Sequence, residues 1–76
     1  MIQTVYVLEI LRQGGAGGII RGHFAQTLGA AQRAAAGKYG LVGRWQPGEE
    51  QGVAAVLLSE GGEQLARVVR EALEYG

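Results

Sequence analysis

Gly14-Gly15-Ala16-Gly17-Gly18-Ile19-Ile20-Arg21-Gly22-His23-Phe24 is the stretch on which the fold turns. Four glycines in five positions give up backbone entropy and offer no side chain to a core. They mark a connector or a loop whose amides approach something closely. The segment after the glycines admits two readings. Ile20, Phe24, Leu28, Ala31 and Ala35 recur at steps of four and three, one stripe of a helix running from Ile19 to Gly37. Alternatively, residues 18–24 are a strand returning from the glycine turn, which would make the chain two β-β-α units ending at Tyr39-Gly40 and Tyr75-Gly76. The stripe and the helix-favouring run Ala30–Ala36 favour one long helix. Gly22 and Gly29 each cost about 1 kcal/mol inside it, which close packing on a sheet would explain.

Outward from this segment the reading is simpler. Ile2 to Arg12 is rich in β-branched and aromatic residues and reads as a strand with two apolar faces. Gly40–Gln46 alternates as a half-buried strand, Gln46-Pro47-Gly48-Glu49 has the order of a type II turn, and Val53–Leu58 is an apolar run of strand length. These two strands form a hairpin with a loop of about five residues. Glu60–Tyr75 reads as a last helix, with a stripe of Leu65, Val68, Val69, Ala72 and Leu73. Glu63–Arg67, Arg67–Glu71 and Arg70–Glu74 fall at the i,i+4 spacing of helical ion pairs.

The expected order is β-α-β-β-α. It predicts an α+β fold with a three-stranded antiparallel sheet and two helices on one face, a sandwich of ferredoxin-like type without its fourth strand. A right-handed crossover sets the first and third strands side by side, with the second at an edge. Phe24 and Leu65 are expected in the core beneath the helices. The uncovered face would then expose Val5, Val7, Leu11, Val42 and parts of Val53–Leu58, a patch that calls for a homodimer or higher oligomer. Face stacking is the preferred route, and pairing along the free edge of the first strand is the second.

Tyr39-Gly40-Leu41-Val42-Gly43-Arg44, followed by Gly52-Val53-Ala54-Ala55-Val56-Leu57-Leu58, resembles the middle of small ACT-like regulatory domains. The resemblance covers about a quarter of the chain, and its residues are mostly structural. It implies a ferredoxin-like fold, homo-oligomerisation and an effector bound between subunits. It transfers no ligand-binding residue.

Composition narrows the chemistry. The 76 residues suit a single domain and contain no Cys, Asp or Asn, and the one imidazole is His23. Disulfides and thiolate metal sites are excluded, and carboxylates come from glutamate alone. The absence of Asn and Cys is a composition found in thermophile proteins. Met1 leads straight into Ile2-Gln3-Thr4, with no signal-like or membrane-spanning run, so a cytoplasmic location is expected. The net charge is zero, but residues 1–44 hold five basic side chains against Glu9, while residues 45–76 hold Arg67 and Arg70 against six glutamates. This +4/−4 split could orient neighbouring subunits.

The glycine loop lies where phosphate loops occur, between a strand and a helix, and Arg12 and Arg21 flank it. A small anionic ligand on Gly15, Gly17, Gly18, Arg21 and His23 is therefore one expectation. The spacing matches neither the dinucleotide nor the nucleotide-triphosphate pattern, so a mobile or assembly-dependent loop is the plainer reading. His23 lacks an evident partner other than Glu9, and no metal or cofactor is expected. Arg44 and Trp45 could stack on a base, and Arg12, Arg21, Arg33 and Arg44 could serve nucleic acid, but the charge balance disfavours it. A pocket with His23, Tyr39 or Glu9 would suit a small enzyme of dimeric α/β-barrel type. The scarcity of reactive side chains instead favours a small non-enzymatic homo-oligomer with a regulatory or ligand-binding role.

Overall fold

In a computed structural model of the chain, residues 2–11 and 19–74 are described. Among these residues, five strands and one helix occur in the order β1 (Ile2–Leu11), β2 (Ile19–Ala25), α1 (Leu28–Gly37), β3 (Arg44–Pro47), β4 (Val53–Leu58) and β5 (Gln64–Glu74). The strands make one antiparallel sheet in the order β2-β1-β5-β4-β3.

This corrects the ferredoxin-like β-α-β-β-α sandwich, and with it the architecture implied by the ACT-like resemblance. Two expected helical segments are strands. Ile19–Ala25 returns along β1, from Leu11 opposite Ile19 to Tyr6 opposite Ala25, in keeping with the alternative parse of the glycine segment. Glu60–Tyr75 is not the last helix: Ser59–Gly62 is a turn, and Gln64–Glu74 is the central strand. That strand separates β1 from β4, so the first strand and the Val53–Leu58 strand are not neighbours.

The physical reason lies in the spacing. A step of four residues returns to the same face of a helix and also to the same face of a strand. Val69/Leu73 and Arg67/Glu71 therefore fit both periods. Long-range pairing decides between them. β5 matches β1 over a ladder from Ile2 opposite Glu74 to Ile10 opposite Ala66, and on its other edge it pairs β4. No isolated helix of that segment satisfies the edges of both neighbours.

One face of the sheet carries the helix. Leu8, Ala25, Leu57, Ala66 and Val68 pack there with Ala31 and Ala35 of α1, and Tyr6, Ile10, Trp45 and Leu65 close the periphery. Alanine stands on both sides of this contact, Ala31 and Ala35 on the helix and Ala66 on the sheet. The helix start has no Asp or Asn to draw on, and Thr27 takes the role: its Oγ1 accepts from the Ala30 N–H at 3.1 Å. The Lys38 N–H closes the other end on the Ala34 carbonyl at 2.9 Å.

The β3–β4 hairpin forms with the expected five-residue loop, but its turn lies elsewhere. Pro47 belongs to β3 and Gly48 keeps a negative-φ backbone, so Gln46–Glu49 is not a type II turn. The turn is Glu50-Gln51-Gly52-Val53, with Gly52 at φ +84° and the Val53 N–H donating to the Glu50 carbonyl at 3.1 Å. Among the described residues, no helix is long and apolar enough to cross a membrane.

Candidate functional site

The helix-free face is where charge and concavity meet. Its apolar floor runs across the central strands. Val7 of β1 stands opposite Phe24 of β2 on one side and Val69 of β5 on the other, and Val69 stands opposite Val53 of β4. Val5, Val7 and Val53 are buried within the single chain, so this face is not the open apolar patch expected from the sequence. Val42, 85% exposed, sits in the loop before β3 and not on the sheet.

Over the floor lies an ion-pair network. Glu9 stands opposite both Arg21 and Arg67 in the register of its two neighbours. Arg67 Nε donates to Glu9 Oε1 at 2.7 Å, and Arg21 Nε lies 3.6 Å from Glu9 Oε2. Arg21 Nη2 also bonds Glu71 Oε1. Glu71 stands opposite Val5, so this last contact spans the level of Val7 and roofs it. The guanidinium of Arg21 lies 5.5 Å from the centre of the Phe24 ring, within cation–π range. The +4/−4 division of charge is thus partly resolved inside one chain, through Arg21–Glu71.

Alongside the network, two adjoining depressions of about 260 and 320 Å³ share Glu50, Val53 and Arg67. The first extends over Val56 and Leu58 toward Pro47 and Glu49, and the second over Val69 toward Glu9, Arg70 and Glu71. The lining includes Glu9, Glu49, Glu50 and Glu71 beside Arg67 and Arg70, and Glu9 and Glu71 are also paired with Arg21. The groove combines an apolar floor, more carboxylates than guanidinium groups in its lining, and one donor, Arg67, held in place by Glu9.

The residues singled out from sequence are dispersed. Gly15, Gly17, Gly18 and Arg12 lie outside the described residues. Arg21 and His23 are on opposite faces, because β2 carries an irregularity between its pairings Glu9–Arg21 and Leu8–His23 that leaves Gly22 unpaired. Arg21 joins the open-face network, while His23 shares the helix side with Leu8. Glu9 is therefore across the sheet from His23. The Tyr39 hydroxyl donates to the Gly22 carbonyl, and a side chain at Gly22 would meet that hydroxyl at 2.7 Å. Trp45 packs at the rim of the helix-side core. Arg33 is exposed on α1, and Arg44 lies on β3 at the far edge from Arg21.

Sequence reasoning missed Arg67, Glu71, Val53 and Glu50 as site residues. Glu9 and Arg67 are 58 positions apart, and only the strand register brings them together. A double-mutant cycle of Glu9→Ala and Arg67→Ala is expected to give a coupling of roughly 1 kcal/mol, since the pair is hydrogen-bonded and mostly covered. Urea unfolding of the four variants measures it; additive effects would show that the pair contributes nothing.

Compared with protein-family models, with curated proteins and with solved structures, the chain matches none.

Proposed function

We propose that the chain is a small, non-enzymatic, self-associating domain that binds a small organic ligand in the groove of its helix-free face. The observation that carries this reading is the groove itself. An apolar floor of Val53, Val56 and Val69 is bordered by charged groups, of which Glu9, Arg67 and Glu71 are held in ion pairs, which is the makeup of a ligand site. The excess of carboxylates favours a ligand with a positive charge and an apolar part over the small anion expected from the glycine loop. Binding is favoured over catalysis because His23, Tyr39 and Glu9 do not converge on one cavity. A regulatory role fits a ligand site that lies on the sheet and leaves the strand edges to a neighbouring subunit.

An amide-resonance titration with phenethylamine, and separately with phenylacetate, tests the ligand class. Saturable shifts confined to residues around Val53, Val56, Arg67 and Val69 are expected with the amine, weakened at least tenfold in Glu50→Gln/Glu71→Gln. Shifts with the anion alone would overturn the charge assignment. The absence of saturation with either would overturn the groove as a ligand site.

A further inference from the structure

The two edges of the sheet are not alike. β3, at one edge, is four residues long, ends in Pro47 and carries the exposed Arg44. Shortness, proline and charge are the usual means of preventing edge-to-edge pairing. β2, at the other edge, is seven residues long without proline, and Ile19, Ile20 and Phe24 are 48%, 44% and 57% exposed. Among the described residues, no strand lies along its outward edge.

We infer that β2 pairs antiparallel with β2 of a second copy about a two-fold axis, joining two sheets edge to edge. This rests on the self-association proposed above and specifies its surface. The occupant is identified by the pattern of faces. Opposed residues of an antiparallel pair share a face. On β2, the pairing with β1 puts Arg21 and Phe24 on the open face and Ile20 and Ala25 on the helix side. The irregularity at Gly22 has moved the alternation by one residue between these two halves. A regular strand laid on this edge matches both halves only by leaving Gly22 unpaired, as β1 does on the other side. A second β2 carries the same shift and matches both. With the axis between Gly22 and His23, Arg21 stands beside the other copy's Phe24, and Ile20 beside the other copy's Ala25. Each Phe24 ring then lies between two guanidinium groups, its own at 5.5 Å and that of the second copy. Tyr39 approaches Gly22 on the side of the Ile10 side chain, which belongs to the helix-side core, and its hydroxyl donates to the Gly22 carbonyl, so that one acceptor stays out of the ladder between copies.

A seven-residue edge buries an area at the low end for specific association, so the dimer belongs in the micromolar range. Sedimentation at tens of micromolar measures the state of the chain. In a mixture of isotope-labelled and unlabelled chains, filtered nuclear Overhauser spectra read contacts between copies. The expected result is a dimer with contacts from the Arg21 side chain to the Phe24 ring of the other copy. Phe24→Lys places like charges side by side at that position and is expected to weaken the dimer about a hundredfold, while Gln46→Lys on β3 leaves it unchanged. Amide-resonance dispersion verifies that both variants stay folded. A dimer lacking those contacts and insensitive to Phe24→Lys would overturn the edge assignment and leave self-association standing. A monomer throughout would overturn both.

Discussion

Ala66→Glu is expected to abolish folding, while Ala72→Glu leaves the protein folded with little loss. Ala66 is fully buried on the helix side of β5, opposite Ile10 and in the same core cluster as Leu8, Leu57 and the two buried alanines of α1. A carboxylate there has no cation and no water. Even after the group takes up a proton, burial of its unmatched polar atoms costs about 3–5 kcal/mol. The added volume also forces the helix off the sheet, for a further 1–3 kcal/mol or so. A domain of this size has a total stability of about 4–10 kcal/mol, so little or nothing of it remains. Ala72 is exposed on the stretch of β5 that runs beyond β4. The pair of substitutions separates the two readings of the C-terminal segment. On a helix with the stripe Leu65, Val68, Val69, Ala72 and Leu73, Ala72 would be the buried position and Ala66 would flank it. Circular dichroism and thermal melts decide the matter; a folded Ala66→Glu beside an unfolded Ala72→Glu would reject the strand.

Leu8→Ala should be the most damaging truncation among the large side chains, with an expected loss of about 3–4 kcal/mol. Leu8 is fully buried at the centre of the sheet, between His23 of β2 and Val68 of β5, with α1 above it. Two long strands hold the backbone on either side, which limits collapse of the cavity and keeps the cost in the upper part of the usual range. Phe24→Ala, by contrast, is expected to cost under about 1 kcal/mol in the single chain, because its ring is more than half exposed. Phe24 is a core residue only if residues 19–37 are one helix. Denaturant titrations of both variants at low protein concentration provide the comparison. Equal losses would contradict the placement of Phe24 on the open face.

Several elements were legible from residue types alone. β1 is rich in β-branched residues and β4 is a continuous apolar run, too long or too uniform for a loop, and they lie where the sequence puts them. The hairpin loop before β4 has the expected length. The alanine-rich stretch ends its helix at Gly37, since alanine has no alternative to offer the backbone. Of the stripe expected on the first helix, Leu28, Ala31 and Ala35 are on α1, and Ile20 and Phe24 are not.

Both failures arise because the local pattern does not specify a strand. In residues 64–74, side chains repeated at steps of four satisfy both the helical and the strand period, and in residues 19–25 the irregularity at Gly22 puts Ile20 and Phe24 on opposite faces, so the strand alternation there is broken. Only the alternation of Ala66 and Val68 with Arg67 and Val69 leans toward a strand, and it is short. The groove was hidden for the same reason. Glu9, Arg67, Arg21 and Glu71 come together only because β5 lies between β1 and β4 and because β2 loses register at Gly22. Residue types alone set which side-chain chemistry is present, the strand nature of β1 and β4 and the stop of α1. These arise from local backbone preference and side-chain volume. The identity of β2 and β5, the sheet order and the faces on which Arg21, His23 and Phe24 lie were decided by tertiary structure, because each depends on which strand edges are left to be satisfied by segments distant in the chain.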